Sequence, residues 1–175
     1  MNDNLLRVSD CMLVILGDDH RPGKDGAPFD KNLAALLRLA AAHAAPLITI
    51  QNSSDRHAAM TSNGVEKVLR TLAVTDATLN QAVADAVRIQ GKSNLVLAGR
   101  PSEGLVTFTA LGALTQGLDV VIVEDCCQSD SAHVHRIAMH RLRQAGAIIT
   151  TAVQLRAEWI ATQSMASQQK VAHPF

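Results

Sequence analysis

Between Ser93 and Gly117 the chain reads SNLVLAGRPSEGLVTFTALGALTQG, and this stretch narrows the folding options more than any other. An apolar run, Leu95-Val-Leu-Ala-Gly99, turns a polar corner at Arg100-Pro-Ser-Glu103 and enters a helix-like segment that closes on Gly117. A short run apolar at every position leaves neither face of a strand for water. It predicts a strand buried on both sides, of the kind found inside parallel sheets. Such sheets collect ligands outside the carboxyl ends of their strands, so chemistry is expected at the corner from Arg100 to Leu105.

The same grammar recurs along the chain. Cys11–Leu16 is a buried strand ending in the acidic turn Gly17-Asp18-Asp19, and the Pro- and Gly-rich segment 20–28 is loop. Asp30 is placed to cap a helix with Leu33, Leu36, Leu37 and Ala40 on one face; Pro46 stops it, and Leu47–Ile50 is the second strand. Residues 53–66 read as a surface loop and Val68–Val74 as a third strand. Asp76 or Thr78 caps a helix bearing Leu79, Ala82, Val83, Ala86 and Val87. After the organising strand, its helix buries Val106, Ala110, Ala113 and Leu114, and Val120–Val123 is the next strand. A helix from about Ser131 to Ala145 buries Val134, Ile137, Ala138 and Leu142, leaving His133, His135 and His140 to solvent. Ile148–Thr151 and a helix with Leu155, Trp159 and Ile160 complete the core. Strands and helices thus alternate five or six times without repeat or linker. The fold class expected is α/β, a three-layer α/β/α sandwich around a mostly parallel, doubly wound sheet of five or six strands. Residues 1–175 form a single domain, with its core at about 10–160 and a polar, frayed tail over 164–175.

Composition removes several functions. Lys plus Arg and Asp plus Glu both number 16, so charge offers no hold on nucleic acid or an anionic membrane. Aromatic residues make up 2%, too few for base-stacking platforms. No apolar run approaches a membrane span, and the opening MNDNLLRVSD is unlike a leader. Three cysteines, Cys11, Cys126 and Cys127, with no CxxC, predict free thiols in a reducing cytoplasm, no structural zinc and no cofactor.

One order of motifs is familiar. LVLAG, the polar corner, a helix, DVVIVED, then His135–Ala147 (HRIAMHRLRQAGA) and a late Glu158-Trp159 together resemble the isochorismatase-like cysteine hydrolases, closest to their amidohydrolase-like branch. The likeness covers roughly residues 10–160. It implies a hydrolase fold that assembles into oligomers and uses an Asp, a Lys or Arg, and a nucleophilic Cys in the first turn after LVLAG. There the helix dipole and a nearby cation favour the thiolate. In this chain the corner reads Ser102-Glu103-Gly104-Leu105-Val106, so the resemblance puts Leu105 at the nucleophile and Leu16 at the acid–base position. The cation position aligns with Arg70. Leucine neither attacks nor carries a proton, and a one-residue slip offers only Gly104 or Gly17.

These substitutions lead to an expectation of lost Asp/Cys chemistry and a small-molecule binding or oligomeric interaction protein. Asp18, Asp19, Arg70, Arg100, Ser102 and Glu103 would lie around the old pocket. Arg100 and Glu103 are expected to pair with each other or with a neighbouring subunit. The enzymatic alternative relocates the groups, with Asp18 as base and Cys126 or Cys127 as nucleophile on amide or related C–N bonds. A third reading is a purely structural assembly subunit. Asp55-Arg-His57 has the D-x-H spacing of the metal site in nicotinamidase relatives but lacks a second His, and reads as surface loop.

Overall fold

The computed structural model describes residues 5–17, 28–52, 66–71 and 77–172. Its strands are β1 (Cys11–Leu16), β2 (Leu47–Asn52), β3 (Glu66–Thr71), β4 (Asn94–Gly99), β5 (Asp119–Cys127) and β6 (Ile148–Thr150). The helices are α1 (Pro28–Ala42), α2 (Ala77–Ile89), α3 (Thr107–Thr115), α4 (Ala132–Gln144) and α5 (Ala152–Ala172). The strands form one six-stranded sheet in the order β3-β2-β1-β4-β5-β6, every neighbouring pair parallel. This is the expected three-layer α/β/α architecture.

Side chains alternate across β1 and divide the core. Met12, Val14 and Leu16 join Val83 and Val87 of α2, Ala110 and Ala113 of α3, and Met139 and Leu142 of α4. Cys11, Leu13 and Ile15 face the other way, among Leu33 and Leu36 of α1 and Leu155 and Trp159 of α5. All six β1 side chains are buried, which is why the run carries no polar alternation. Removing each large aliphatic side chain from water contributes about 2 kcal/mol.

Several local expectations are corrected. Pro28, not Asp30, opens α1; proline fits a first helical turn because its missing N–H has no partner there. Asp30 sits inside that turn, where its carboxylate suits the helix dipole. Thr78 lies within α2, and Asp76 lies outside the described residues. On α2 the buried set is Val83, Ala84 and Val87, while Ala82 is exposed. Strand β5 runs on through Glu124–Cys127. Its register with β4 shifts between Leu97, opposite Ile122, and Gly99, opposite Cys127. The backbone of α5 stays helical to Ala172 instead of fraying at Ser164. Ile160 is exposed beside the fully buried Trp159.

Helix α4 is turned from the expected face. Ala138, Met139 and Leu142 are buried, Val134 is half-buried, and Ile137 is 54% exposed. The stripe that wins is 135, 138, 139, 142, a helical i, i+3, i+4, i+7 set, and it carries His135 inward with it. Ser131 caps this helix, its Oγ accepting from the Val134 N–H at 3.4 Å.

Candidate functional site at the switch point

Strand order reverses between β1 and β4, and the two strands end side by side with Leu16 opposite Gly99. A crevice at such a reversal is where open parallel sheets place their ligands. The Arg100 N–H donates to the Leu16 carbonyl at 2.9 Å, and the Gly17 N–H to the Ile50 carbonyl at 2.9 Å. Gly17 (φ 117°) and Gly99 (φ 130°) occupy backbone regions that strain any side chain. A Cβ on Gly99 would collide with the Leu16 carbonyl oxygen, and one on Gly17 with that of Arg100. Bare backbone brings these strand ends together.

The Arg100–Pro101 peptide is cis, and the chain then enters a π-helical turn, Ser102–Val106, continuous with α3. Two bonds pin its start: the Ser102 N–H donates to the Gln128 carbonyl at 2.9 Å, and Thr107 Oγ1 donates to the Ser102 carbonyl at 2.6 Å. Leu105 is 2% exposed and Leu16 is fully buried, and both belong to one apolar cluster with Ile50 and Cys127. Leu16 and Leu105, the two residues the motif order singled out, are continuous hydrophobic core.

Ser102 is also fully buried, and it is not alone. Its Oγ lies 2.8 Å from His135 Nδ1, and His135 Nε2 lies 3.9 Å from Glu124 Oε1. Only the Ser102–His135 contact is within hydrogen-bond distance; at 3.9 Å the Glu124 carboxylate is too far to hold the imidazole as a nucleophile relay requires. A hydroxyl with no exposed surface has no path to a substrate in this conformation, so the Ser102–His135 bond acts as a clamp joining α4 to the corner. The expectation that His135 is solvated is corrected, while His133 and His140 are exposed as anticipated. The signal was present in the sequence: His135 is in helical phase with Ala138, Met139 and Leu142.

The other candidates scatter. Arg100 is exposed, with its guanidinium carbon 5.8 Å from the centroid of the Phe29 ring. Glu103 is exposed and makes no ion pair among the described residues, so the Arg100–Glu103 pairing within one chain does not form. Arg70 lies on β3 opposite Gln51, and its side chain is outside the described set. Asp18, Asp19 and Asp55–His57 also lie outside the described residues.

Cys126 and Cys127 point to opposite faces of the sheet, Cys126 among the α1 and α5 side chains and Cys127 among those of α3 and α4. Both are buried. Burial pushes the Cys127 thiol up to about 12, with the Glu124 and Asp125 carboxylates adding to the rise. Burial likewise raises Cys126, assisted by neighbouring Asp125. A nucleophile needs the opposite shift. No cluster of three or more His, Cys, Asp or Glu among the described residues is arranged to hold a metal ion. No helix among them is long and apolar enough to cross a membrane.

A parallel sheet of this order with a strand–corner–helix at its reversal defines the class of doubly wound α/β/α sandwiches. The Isochorismatase domain model matches residues 8–154, and the chain belongs to that family. Probable hydrolase YcaC of Escherichia coli K12 is 36% identical over 84 residues, 46% of this chain and 40% of that protein. Isochorismatase domain-containing protein 2 of Xenopus laevis is 40% identical over 58 residues, 33% of this chain and 28% of that protein. The chain thus spans well under two thirds of the length of these relatives. Among solved structures, YcaC from Pseudomonas aeruginosa superposes with a TM-score of 0.75 at 23% identity, covering 92% of this chain and 85% of that one. The E. coli YcaC structure, described as an octameric hydrolase of unknown specificity, gives 0.76 at 22% identity, covering 92% and 84%. At those identities the likeness speaks for the fold.

Proposed function

We propose that this chain keeps the isochorismatase-family scaffold but has exchanged its Asp/Cys chemistry for binding. It serves as a small-molecule binding or interaction subunit of a homo-oligomer. The observation that carries the reading is the packing of Leu16 and Leu105 into one apolar cluster at the carboxyl ends of β1 and β4. Leu16 and Leu105 are closed into the core, so a ligand is held above them, at the rim, by Arg100 and Glu103 together with Asp18, Asp19 and Arg70. Assembly is proposed from the family habit and from the octamer formed by the E. coli neighbour. Three unpaired thiols suit a reducing cytoplasm.

The rival, a hydrolase with Asp18 as base and Cys126 or Cys127 as nucleophile, is opposed by the burial and raised thiols of both cysteines. The deciding experiment is turnover of a panel of amides, N-carbamoyl compounds, esters and vinyl ethers, before and after iodoacetamide. The expected result is no turnover. Turnover that alkylation abolishes would sink the binding reading in favour of a relocated cysteine. Turnover that survives both alkylation and the Cys126→Ala and Cys127→Ala substitutions would sink both.

A further inference from the structure

We propose that the groove between α1 and α5, on the sheet face away from the switch-point cluster, binds an amphiphilic carboxylate with an aliphatic body and one anionic end. The groove has a volume of about 470 Å³, within the roughly 300–1,000 Å³ of small-molecule sites. Leu39, Val153 and Ile160 line it with aliphatic surface, and Arg38, Arg156 and His43 supply polar groups. Arg38 and Arg156 have no hydrogen bond or ion pair among the described residues, and no carboxylate side chain lines the groove. Asn32, which also lines the groove, is already engaged, as is its partner Asp125. Asp125 Oδ1 accepts from the Ala152 N–H at 2.8 Å, capping the start of α5, and Asn32 Nδ2 donates to the Asp125 carbonyl at 3.2 Å. The two guanidiniums, beside His43, are donors left for a ligand, and their planar forks match a carboxylate.

Charge also separates this occupant from a second copy of the chain. A two-fold contact would set the patch against itself and bring Arg38 and Arg156 of both protomers together with no acid between them. An anion with an aliphatic body meets both halves of the lining at once. The proposal does not depend on the reading of the switch-point site.

Trp159, the only tryptophan, supplies the readout. It is fully buried, and its ring lies 5.8 Å from the His43 ring, edge to face, so occupancy at His43 reaches it. Octanoate and 1-octanol are titrated into the full chain while Trp159 emission is followed, with calorimetry and light scattering on the same samples. The expected result is a saturable response to octanoate, with 1-octanol at least about tenfold weaker because it lacks the charge. The double variant Arg38→Gln/Arg156→Gln weakens octanoate by about tenfold or more and leaves 1-octanol unchanged. Both side chains are exposed, and a matching thermal melt verifies that the double variant is folded. Equal responses to the two probes, no saturation, or an unaffected double variant would overturn the proposal. A native mass that falls as octanoate is added would reassign the groove to a second copy and overturn it too.

Discussion

At the residue scale, the Ser102–His135 bond is asymmetric, and that asymmetry is measurable. Ser102 is fully buried, whereas His135 and Glu124 keep side-chain exposures of 21% and 42%. Removing His135 strands a buried hydroxyl that water cannot reach. Removing the hydroxyl leaves an imidazole that water can serve. His135→Ala should therefore cost about 2 kcal/mol and Ser102→Ala about 1 kcal/mol in urea unfolding. The double variant should cost less than the sum of the two, because both remove the same bond. Strictly additive losses would mean that the clamp contributes nothing.

The thiols make a second prediction at this scale, and its sign is fixed. Burial raises Cys11 and Cys127 from 9.0 to about 12. Below pH 9 these thiols are neutral in both states and cost nothing. Between pH 9 and about 12 the unfolded chain loses their protons while the folded chain keeps them, so stability falls as pH rises through that window. Unfolding measured across the window should show this decline, and Cys127→Ala should make it shallower. A slope unchanged by that substitution would contradict the burial of a neutral thiol. Iodoacetamide should likewise label the native chain far more slowly than the urea-unfolded one.

At the scale of elements, α4 separates what the sequence pattern reveals from what it does not. The continuous apolar runs identified the central strands, because a strand buried on both faces has no freedom to be anything else. The Ser93–Gly117 stretch likewise located the strand, corner and helix. Helix α4 offered two overlapping stripes, 134/137/138/142 and 135/138/139/142, and hydrophobicity favoured the first because it contains Val134 and Ile137. Packing chose the second, since the cost of turning His135 inward is offset by a hydrogen bond to Ser102 that no local pattern encodes. The candidate site was legible to the same extent. Leu16 and Leu105 were placed together through the family's motif order, but the burial of Ser102 and the separation of Cys126 from Cys127 across the sheet depend on β5 and its shifted register. The α4 assignment can be checked by mutation. Met139→Ala should cost about 2–4 kcal/mol, whereas Ile137→Ser should fall within about 0.5 kcal/mol if that face stays in water. A large loss at Ile137 in a monomeric sample would restore the hydrophobic stripe.

At the scale of the whole molecule, the same exposed Ile137 bears on assembly. A soluble surface tolerates scattered apolar side chains, so one exposed isoleucine argues nothing. Phe108 on α3 is 42% exposed, however, and α3 packs beside α4, so two large apolar groups stand on adjacent helices of one layer. A homo-oligomer that covers this layer would explain why neither is polar. If the assembly reading holds, light scattering should give a native mass well above the 18.6 kDa of one chain. Ile137→Glu should then lower that mass, because a two-fold contact repeats the new charge against itself and leaves it desolvated. The variant should remain folded as a monomer by circular dichroism, since the carboxylate meets water once the partner leaves. A wild-type mass of one chain would remove the oligomer from the proposed function. An oligomer indifferent to Ile137→Glu would move the interface off the α3–α4 layer, and the ligand-binding part of the reading would then stand on the switch-point crevice alone.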